Sequence, residues 1–486
     1  MLENIFHSNG ESIPIYPVFK NALEVALSAL PAGAAHWARV SGFTGEAGAI
    51  CLVPYLGAGD NFTFGAVLFG LGAANAGKAS DKQQSKEINF LFGALPYSLP
   101  SGVYRVENYN GCDPYIVALA WGMGAYKFSA YKALECNPLN CGDDEPSCAR
   151  FVPDNDRVAK RIQGILEGVF VCRNIVNEPP NVMGPERLEG VIRDTAIHYG
   201  AGFSVITGDD LLIQNYPLIH AVGRASAEEP RLIEMTWGKI SDPTVTLVGK
   251  GVCYDTGGLC VKPASFMRNM KKDVGGAATV LALARMIMHF ALPVRLRVLI
   301  PAVENSIAGN AFRPGDIIMA RNNLYVEIHD TDAEGRLVLA DALVEADEHE
   351  PDLLIDFATL TGAARVALGE DIVPFYTASQ KLADEIQKAG IDECDPVWRM
   401  PLWLGYELSL SSSVADIVNA SAGGASAPGS ITAALFLQKF VRKSKEWVHF
   451  DCFSWNISAR PSRPAGGECQ VARAVFSVLE NRYERK

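Results

Sequence analysis

TVTLVG at residues 244–249 and VRLRVLIPAV at residues 294–303 are short apolar runs of the length of a buried β-strand. Between them, residues 276–290 place apolar side chains at helical spacing. A strand, a helix and a second strand in this order form a βαβ unit, in which the two strands are parallel and the helix covers one face of the sheet. This stretch therefore predicts an α/β fold.

The alternation of strands and helices continues toward the C-terminus. NLYVEIH (323–329) and LLIDFATL (353–360) are further strand-like runs, and residues 335–348 between them have a helical pattern. Such alternation is typical of a mostly parallel, doubly wound sheet with helices on both faces. We therefore predict that all four runs join one sheet, whose ligands bind beyond the carboxyl ends of its strands.

Toward the N-terminus, the composition changes at residues 136–156. CNPLNCGDDEPSCARFVPDND is polar, acidic and rich in turn residues, which predicts a surface connection between two domains. The apolar positions that follow predict an amphipathic helix over 157–172, ended by Pro179 and Pro180. The predicted division is an N-terminal domain at 1–150, a connecting segment and helix at 151–180, and a C-terminal domain at 181–486.

The first 150 residues predict a smaller α/β domain. The apolar runs AICLVPYL (50–57) and FGAVLFG (64–70) alternate there with helix-like polar stretches. Gly70, Gly72 and Gly77 do not have the spacing of a dinucleotide-binding loop, so we interpret them as turn glycines with a structural role.

The composition limits the classes of partner. The chain has 486 residues, 49 % of them apolar, which is enough for two ordinary domains and excludes disorder for most of its length. Its 43 Lys and Arg against 55 Asp and Glu give a formal charge of −12, whose field repels nucleic acid and anionic membranes. The first residues lack the pattern of a signal peptide, and no run of 18 apolar residues occurs. We therefore expect a cytoplasmic protein with neither a membrane nor a nucleic-acid partner.

The 11 cysteines are spread along the chain without a Cys-x-x-Cys pair, which is typical of reduced thiols in an intracellular protein. Cys136, Cys141 and Cys148 cluster, but a structural zinc needs four ligands and no histidine lies near them. We interpret the cluster as an irregular loop rather than as a zinc site.

Charged residues follow two of the predicted strands at the point where each strand ends. Because the carboxyl ends of parallel strands meet at one edge of a sheet, we expect these side chains to lie close together. So many carboxylates would repel one another unless cations neutralise them, and carboxylates can bridge two divalent ions in metal-assisted hydrolysis. The set comprises four carboxylates and three cations: Asp255, Asp273, Asp332 and Glu334, with Lys250, Lys262 and Arg336.

Each of these residues also has an ordinary structural interpretation. Thr331 and Glu334 have the spacing of a helix capping box. Asp255 before Thr-Gly-Gly can form a turn, and Asp273 can cap the next helix. Lysines and arginines in such loops are usually solvated surface charges. A binuclear metal site explains all of them together, which isolated caps do not.

The spacing of the histidines and the lack of a nucleophile motif restrict the classes of hydrolase further. The eight histidines form no His-Glu-x-x-His, so a mononuclear zinc protease is disfavoured and oxygen ligands dominate. Such a site suits manganese or magnesium, and zinc if a nitrogen ligand contributes. No Gly-x-Ser-x-Gly occurs, and Cys253 and Cys260 have no adjacent histidine, so a covalent nucleophile is the weaker interpretation.

The longest motifs closely resemble the leucyl aminopeptidase family, the M17 cytosol aminopeptidases. The resemblance covers the region after the connection, whereas the first 150 residues resemble the family only in size and α/β character. The segments that carry it are VGKGVCYDTGGLCVKPASFMRNMKKDVGGAA (248–278), DTDAEGRLVLADAL (330–343), RNIVNEPPNVMGP (173–185), ATLTGAA (358–364) and GSITAALFL (429–437).

The resemblance implies a ligand set for two divalent metal ions, manganese or zinc, with magnesium or cobalt as alternatives. Asp255 and Glu334 correspond to carboxylates that bridge both metals, and Asp332 to a ligand of the first metal. Lys250 and Asp273 correspond to ligands of the second metal, which also binds the free amine of the peptide substrate.

The resemblance also implies two catalytic cations. Lys262 corresponds to the residue that stabilises the oxyanion of the tetrahedral intermediate. Arg336 corresponds to the residue that holds a bicarbonate, which relays the proton. Two metals can lower the pKa of a bridging water and clamp the developing charge, so the physical chemistry agrees with these roles.

Met270, Thr359 and Gly362 fall where the family lines its pocket for the first side chain. Met270 could equally be a core residue, and only its position in the motif favours the pocket. An apolar pocket distinguishes aliphatic side chains by only about 1 to 3 kcal/mol per methylene, so broad specificity with leucine or methionine preferred is expected.

The chain departs from the common family pattern at a few positions. Asp330 replaces the usual Asn, and Tyr254 and Thr256 replace the usual Phe and Ser. Asp330 adds a negative charge near the metals, which affects metal preference and pH optimum. The run HFDCFSWN (449–456) also departs from the family pattern and affects the far wall of the pocket.

Two other classes of function stay open at this point. One is a non-catalytic binding or scaffold protein with the same fold, which the intact set of seven polar residues disfavours. The other is a phosphoesterase with bridged carboxylates, which would usually have histidines around its metals. The family resemblance further implies a homohexamer that acts on peptides with a free N-terminus.

Overall fold

The computed structural model describes residues 5–7, 11–30, 32–55, 63–73, 86–132, 149–421 and 427–484. The chain forms two compact units. The N-terminal unit comprises Met1–Leu166 and Ser458–Ala465, and the C-terminal unit comprises Glu167–Ile457 and Gly466–Lys486. The division falls inside a helix, Asp156–Asn177, between the boundaries predicted at residues 150 and 180.

The N-terminal unit has a five-stranded sheet in the order β2-β3-β1-β4-β5, in which only the β2–β3 pair is antiparallel. Its strands are β1 (Ile13–Phe19), β2 (Ile50–Tyr55), β3 (Thr63–Gly72), β4 (Val103–Val106) and β5 (Arg150–Phe151). Its α-helices span Leu23–Ser28, Ala32–Val40, Leu95–Ser98 and Pro114–Gly124, with 3₁₀ turns at Lys20–Ala22 and Ile88–Ala94. The smaller α/β domain is confirmed.

Residues 458–465 complete the packing of the N-terminal unit. The Ser462 hydroxyl lies within 2.9 Å of the carbonyl oxygen of Phe90 and 3.1 Å of that of Ala120. Ser462 is 1 % exposed, so this late segment is part of the interior of the unit.

Two sequence interpretations of this region can be compared with the structure. Gly70 lies in β3, where an added Cβ would come within 2.1 Å of the carbonyl oxygen of Glu46, so close packing requires this glycine. Phe151, in the segment predicted to be a surface connection, belongs to β5 and is buried, because its ring stacks on that of Trp121. The cluster of Cys136, Cys141 and Cys148 and the turn glycine Gly77 lie outside the described residues.

The C-terminal unit is built on a nine-stranded sheet in the order β15-β14-β17-β13-β8-β10-β7-β6, with β9 also paired to β10. Its strands are β6 (Gly202–Thr207), β7 (Arg231–Trp237), β8 (Thr244–Gly249), β9 (Gly251–Asp255), β10 (Arg295–Asn305), β13 (Leu353–Ala358), β14 (Val373–Tyr376), β15 (Val397–Arg399) and β17 (Trp447–Asp451). Five of the strand pairs are parallel, and the pairs β14–β17, β10–β7 and β6–β7 are antiparallel. The predicted mostly parallel sheet is therefore confirmed.

Helices cover both faces of this sheet. The Gly275–His289 helix packs with Pro185–Tyr199 and Ala472–Tyr483, whereas the Gly335–Asp347 helix packs with Pro217–Gly223 and Gly429–Gln438. The second group shares one buried core with alternate strand residues such as Val248, Leu299 and Leu354. The remaining helices of the unit are Asp210–Ile213, Ala264–Met267, Gly362–Leu368 and Gln380–Asp392, with 3₁₀ turns at Met270–Val274 and Leu404–Leu410.

The prediction for residues 323–329 is wrong in one respect. β12 (Tyr325–Glu327) belongs to a separate three-stranded sheet with β11 (Ile317–Met319) and β16 (Ile417–Val418). Val326 and Ile328 are buried and Tyr325 is exposed, which is the alternation of a half-exposed strand rather than the continuous apolar run of a doubly covered one. A further strand pair joins β18 (Trp455–Asn456) to β19 (Gly466–Gly467).

None of the helices in the described residues is both long and apolar enough to cross a membrane.

Candidate active site

Lys250 lies between β8 and β9, at the centre of the nine-stranded sheet. Its backbone N–H donates to the carbonyl oxygen of Phe357 in β13, and its carbonyl oxygen accepts from Ala277 N, so the backbone is fixed on both sides. A Cβ added at Gly335 would come within 2.5 Å of Lys250 Cε. Glycine at the start of the Gly335–Asp347 helix therefore leaves the space that the lysine side chain occupies.

The ammonium group of Lys250 joins two carboxylates. Its Nζ lies 2.7 Å from Asp273 Oδ2 and 2.9 Å from Glu334 Oε1, and it donates to the carbonyl oxygen of Thr359 at 2.9 Å. All three charged side chains are at most 3 % exposed. Segments that are far apart in the sequence therefore meet at this nitrogen.

Lys262 joins a second pair of carboxylates. Its Nζ lies 2.7 Å from Asp255 Oδ2 and also contacts Asp332 Oδ1. Asp255 ends β9, and its other oxygen accepts from Asn305 Nδ2 at 2.8 Å and from Gly257 N at 2.9 Å. The four predicted carboxylates and two of the predicted cations thus form one cluster of ion pairs.

The capping interpretations fail for two of the carboxylates. Glu334 is the N-cap residue of the Gly335–Asp347 helix, but its side chain makes no capping hydrogen bond. The Thr331 hydroxyl does not cap this helix either, because it donates to the carbonyl oxygen of Gly257. Asp273 lies within the 3₁₀ turn that precedes the Gly275–His289 helix, whose cap residue is Val274. Asp255 does form the expected turn through Gly257 N, in addition to its contact with Lys262.

Three polar residues that the sequence analysis did not assign to the metal cluster hold two of its carboxylates and the segment that precedes Asp332. Asn305 holds Asp255, and the Thr359 hydroxyl donates to Asp273 Oδ1 at 2.6 Å. Asn419 accepts from the backbone of His329 and Asp330 through its side chain. Asn305 is the last residue of β10 and lies at the carboxyl edge of the sheet, so its position in the sequence could have predicted a place in the site. No local sequence pattern around Asn419 indicates its role.

Charge and burial shift the protonation equilibria of the cluster. Burial favours the neutral amine of Lys250, but the carboxylates of Asp273 and Glu334 outweigh it and raise the pKa of Lys250. Burial, together with the nearby Asp255 carboxylate, raises the pKa values of Asp332 and Glu334. In the metal-free cluster Lys250, Asp332 and Glu334 therefore retain their protons more strongly than the isolated side chains do. Asp273 is the exception, because burial disfavours its charged form but the charge of Lys250 outweighs burial and lowers the pKa of Asp273.

The donor set fits a divalent cation. Oxygen atoms of Asp255, Asp273 and Glu334 lie within 4.8 Å of one another, and all three residues are buried. Glu334 Oε2 is buried without a hydrogen-bond partner among the described residues. A buried carboxylate oxygen without a donor is costly, and a cation at this position would satisfy it.

Arg336 lies apart from the ion pairs. One of its terminal nitrogens donates to the carbonyl oxygen of Asn419 at 2.7 Å, and its Nε is buried without a hydrogen-bond partner in the described part of the chain. Burial lowers the pKa of Arg336, opposed by the charge of Glu334. A free guanidinium N–H of this kind fits a small anion such as bicarbonate.

The three predicted pocket residues lie on segments next to the cluster. Met270 begins the 3₁₀ turn that carries Asp273, and Thr359 follows β13. Gly362 begins the Gly362–Leu368 helix and is exposed. Thr359 is 5 % exposed. Its hydroxyl donates to Asp273, and its carbonyl oxygen accepts a hydrogen bond from Lys250 Nζ.

Comparison with known proteins identifies the family. Residues 170–476 match the model of the catalytic domain of the cytosol aminopeptidase family. The chain belongs to the M17 cytosol aminopeptidase family. Residues 13–137 also match the model of the M17 aminopeptidase N-terminal domain, which extends the family likeness to the part of the chain where the motifs were weak.

Individual relatives support the family assignment. A solved structure of a cytosol aminopeptidase from Coxiella burnetii is 41 % identical and covers 99 % of each chain with a TM-score of 0.88. The bottromycin maturation enzyme BotP, solved in complex with Mn, is 29 % identical, covers 97 % of this chain and 100 % of its own, and has a TM-score of 0.83. The two-domain M17 architecture is therefore shown for this chain.

Curated relatives match a shorter stretch. The cytosol aminopeptidase of Encephalitozoon cuniculi is 40 % identical over 311 residues, which is 63 % of this chain and 64 % of that protein. The peptidase B of Pectobacterium carotovorum is 40 % identical over 307 residues, 61 % of this chain and 70 % of that protein. The alignment thus spans less than two thirds of the first of these relatives.

Proposed function

We propose that the protein is a metal-dependent aminopeptidase, which releases N-terminal amino acids from peptides by hydrolysis. The observation that carries the proposal is the buried group of Asp255, Asp273 and Glu334, with two lysines between the carboxylates. A scaffold protein has no need for so many buried charges, because each costs free energy to remove from water.

We assign the residues of the cluster to two divalent metal ions. Asp255 and Glu334 would contribute to both sites, Asp332 to the first, and Lys250 with Asp273 to the second. When bound, the metals supply a water of lowered pKa and an electrophile for the scissile carbonyl group. Manganese and zinc suit this mixture of oxygen and nitrogen ligands, with magnesium and cobalt as alternatives.

The cationic side chains have separate roles in this proposal. Lys262 is held against Asp255 and Asp332, where its ammonium can stabilise the oxyanion of the tetrahedral intermediate. Arg336, whose buried Nε has no hydrogen-bond partner among the described residues, would hold a bicarbonate, which would supply a proton relay. Thr359 holds Asp273 in place through a hydrogen bond.

The finer properties follow from the family rather than from the geometry. We propose that Met270, Thr359 and Gly362 line the pocket for the first side chain, with leucine and similar apolar residues accepted. We also propose a cytoplasmic homohexamer. The names of the curated relatives agree with a cytosolic location.

The proposal is tested by comparing leucine p-nitroanilide with its N-acetylated form, with manganese and with a chelator. The free amine should be required, because an amide nitrogen cannot coordinate a metal. Equal rates on both substrates would contradict an aminopeptidase, and hydrolysis of p-nitrophenyl phosphate alone would indicate a phosphoesterase. Metal binding without turnover of any of these would favour a binding or scaffold protein.

A further inference from the structure

Thr331 is a completely buried residue whose hydroxyl joins two segments of the candidate site. The hydroxyl donates to the carbonyl oxygen of Gly257 at 2.6 Å and accepts from the backbone N–H of Cys260 at 2.8 Å. Gly257 and Cys260 belong to residues 257–262, which follow β9 and which we call the Lys262 turn. Thr331 directly precedes Asp332. The segments that carry Asp332 and Lys262 are therefore tied together at one side-chain oxygen.

The Lys262 turn packs closely around this hydroxyl. Gly257 and Gly258 have φ angles of +89° and +64°, in the left-handed region that favours glycine. A Cβ added at Gly258 would lie 3.0 Å from Thr331 Oγ1, which is closer than ordinary van der Waals contact. The two glycines therefore allow the backbone of the turn to reach the threonine.

Thr331 is itself held in place from the sheet. The side-chain nitrogen of Asn305, the last residue of β10, donates to the carbonyl oxygen of Thr331 at 3.0 Å and to Asp255 Oδ1 at 2.8 Å. The carbonyl oxygen of Asn305 accepts from the backbone N–H of Thr256 at 3.1 Å and from its hydroxyl at 2.9 Å. The Thr331 hydroxyl is therefore a fixed anchor for the turn.

The Lys262 turn has few other connections to the protein. The backbone N–H of Lys262 donates to the carbonyl oxygen of Thr256 at 2.9 Å, which closes the turn on itself. Leu259 and Val261 are exposed, and so are residues 263–266 that follow. Among the hydrogen bonds of the described residues, those to Thr331 link residues 257–261 to a segment outside 254–262. The position of Lys262 therefore depends on Thr331.

Ion pairs alone do not fix Lys262 in the enzyme that we propose. The Lys262 ammonium contacts Asp255 and Asp332 in the metal-free cluster. In the proposed function both carboxylates are metal ligands, so the charge of the metals offsets the attraction that the carboxylates exert on an ammonium. The backbone of the turn must then keep the lysine in place. A misplacement of about 1 Å near the reacting atoms can lower the rate about 100-fold.

We propose that Thr331 is a positioning residue that acts through Lys262, because its hydroxyl holds the Lys262 turn so that the ammonium lies where the oxyanion develops. The inference rests on the proposed aminopeptidase function, in which Lys262 stabilises that oxyanion. Stabilisation of this kind acts in the transition state and not on the bound substrate. Loss of the positioning should therefore lower kcat and leave KM unchanged.

Thr331→Val tests the proposal, because valine keeps the shape but removes both the donor and the acceptor. With leucine p-nitroanilide and manganese, kcat should fall about 10- to 100-fold at unchanged KM and unchanged manganese content. Thr331→Ser keeps the hydroxyl and should retain most of the activity. Thr195→Val is the matched control, since Thr195 is also buried and its hydroxyl donates to the carbonyl oxygen of Val191 and accepts from Arg285, outside the site.

A double-mutant cycle with Lys262→Met shows whether Thr331 acts through the lysine. In the Lys262→Met background, Thr331→Val should have little further effect on kcat, because the group that Thr331 positions is already absent. An equal fold-loss of kcat in both backgrounds would overturn the proposal. So would loss of manganese from Thr331→Val, because either result means that Thr331 supports the metal ligands or the fold instead.

Hydrogen–deuterium exchange gives a readout that does not depend on activity. In metal-free and in manganese-loaded protein, the backbone amides of Cys260 and Lys262 should exchange faster in Thr331→Val than in wild type or Thr331→Ser. The Gly275–His289 helix should exchange at the wild-type rate in all three proteins. Unchanged exchange in the Lys262 turn of Thr331→Val would overturn the inference.

Failure of the proposed function has a different signature. In that case manganese-loaded wild type does not hydrolyse leucine p-nitroanilide, and hydrogen–deuterium exchange alone decides whether Thr331 holds the Lys262 turn. The exchange measurement also decides if Lys262→Met is too slow for the cycle. Thr331→Ala, which also lacks the hydroxyl, replaces Thr331→Val in each measurement if the valine variant does not fold.

Discussion

The ammonium nitrogen of Lys250 lies 2.7 Å from Oδ2 of Asp273, and both side chains are 3 % exposed. An ammonium has no lone pair, so Lys250 can become a metal ligand only after it loses its proton. The carboxylates that raise its pKa are the same groups that would hold the metal. Metal and proton therefore compete for one position, and metal affinity should fall as the pH is lowered.

Lys250→Arg tests whether this nitrogen is a ligand. Arginine keeps the positive charge but is not deprotonated in proteins, so the variant should bind less metal and lose more than about 100-fold in activity. Metal analysis by mass spectrometry and kcat/KM with leucine p-nitroanilide measure both. Lys239→Arg, an exposed lysine, is the control. Full metal content with normal turnover would show that Lys250 only neutralises charge.

Glu334→Gln tests the raised pKa of this buried carboxyl group in metal-free protein. The ordinary Glu pKa is about 4.3, so the folded protein binds this proton more tightly than the unfolded chain does. The contribution of the Glu334 proton to the free energy of unfolding is therefore complete at low pH and is lost as the pH rises through the raised pKa. In chelator, the Tm of the variant relative to wild type should increase from about pH 5 to pH 9. A constant or decreasing difference would contradict the assigned environment.

Thr359→Val tests the positioning of Asp273. The substitution keeps the shape but removes the donor to Asp273 Oδ1, and loss of such a partner typically costs about 10- to 100-fold in metal affinity. Manganese titration followed by calorimetry measures the change. Thr246→Val is the matched control, because its buried hydroxyl has no hydrogen-bond partner among the described residues and its removal should not weaken metal binding.

The assembly is tested by light scattering of the metal-loaded protein. The proposed hexamer has six times the chain mass of 52.4 kDa. A mass near that of a single chain at assay concentration would contradict the proposal. The same measurement in chelator shows whether the assembly depends on metal.

Much of the fold could be predicted from local pattern. The two runs at 244–249 and 294–303 became β8 and β10 because most of their side chains are apolar and are buried under helices on both faces of the sheet. The helices predicted at 276–290 and 335–348 are observed at Gly275–His289 and Gly335–Asp347. The run at 323–329 was assigned to the wrong sheet because a short alternating strand does not specify its partners, which here lie at 317–319 and 417–418.

The candidate site could be predicted from the sequence where charged residues occur at positions at which they are unusual. Carboxylates and lysines directly after buried strands stand out in a sequence, and the structure brings six of them into one cluster. Thr331 and Glu334 show the limit of local reasoning, since a capping box and a metal ligand have the same spacing. The contacts of Asn419 join it to residues 83 to 90 positions earlier in the chain, and no local pattern specifies them.

The segment Ser458–Ala465, which is part of the N-terminal unit, affects the order in which the protein can be made. Ser462 donates to the carbonyl oxygens of Phe90 and Ala120, and both of these residues are synthesised long before residue 462. The N-terminal unit therefore cannot finish its interior during early synthesis, even though domains generally fold in order from the N-terminus. Its completion must wait until almost the entire C-terminal unit has been translated, so the N-terminal unit, although most of it is synthesised earlier, is among the last parts to become fully native.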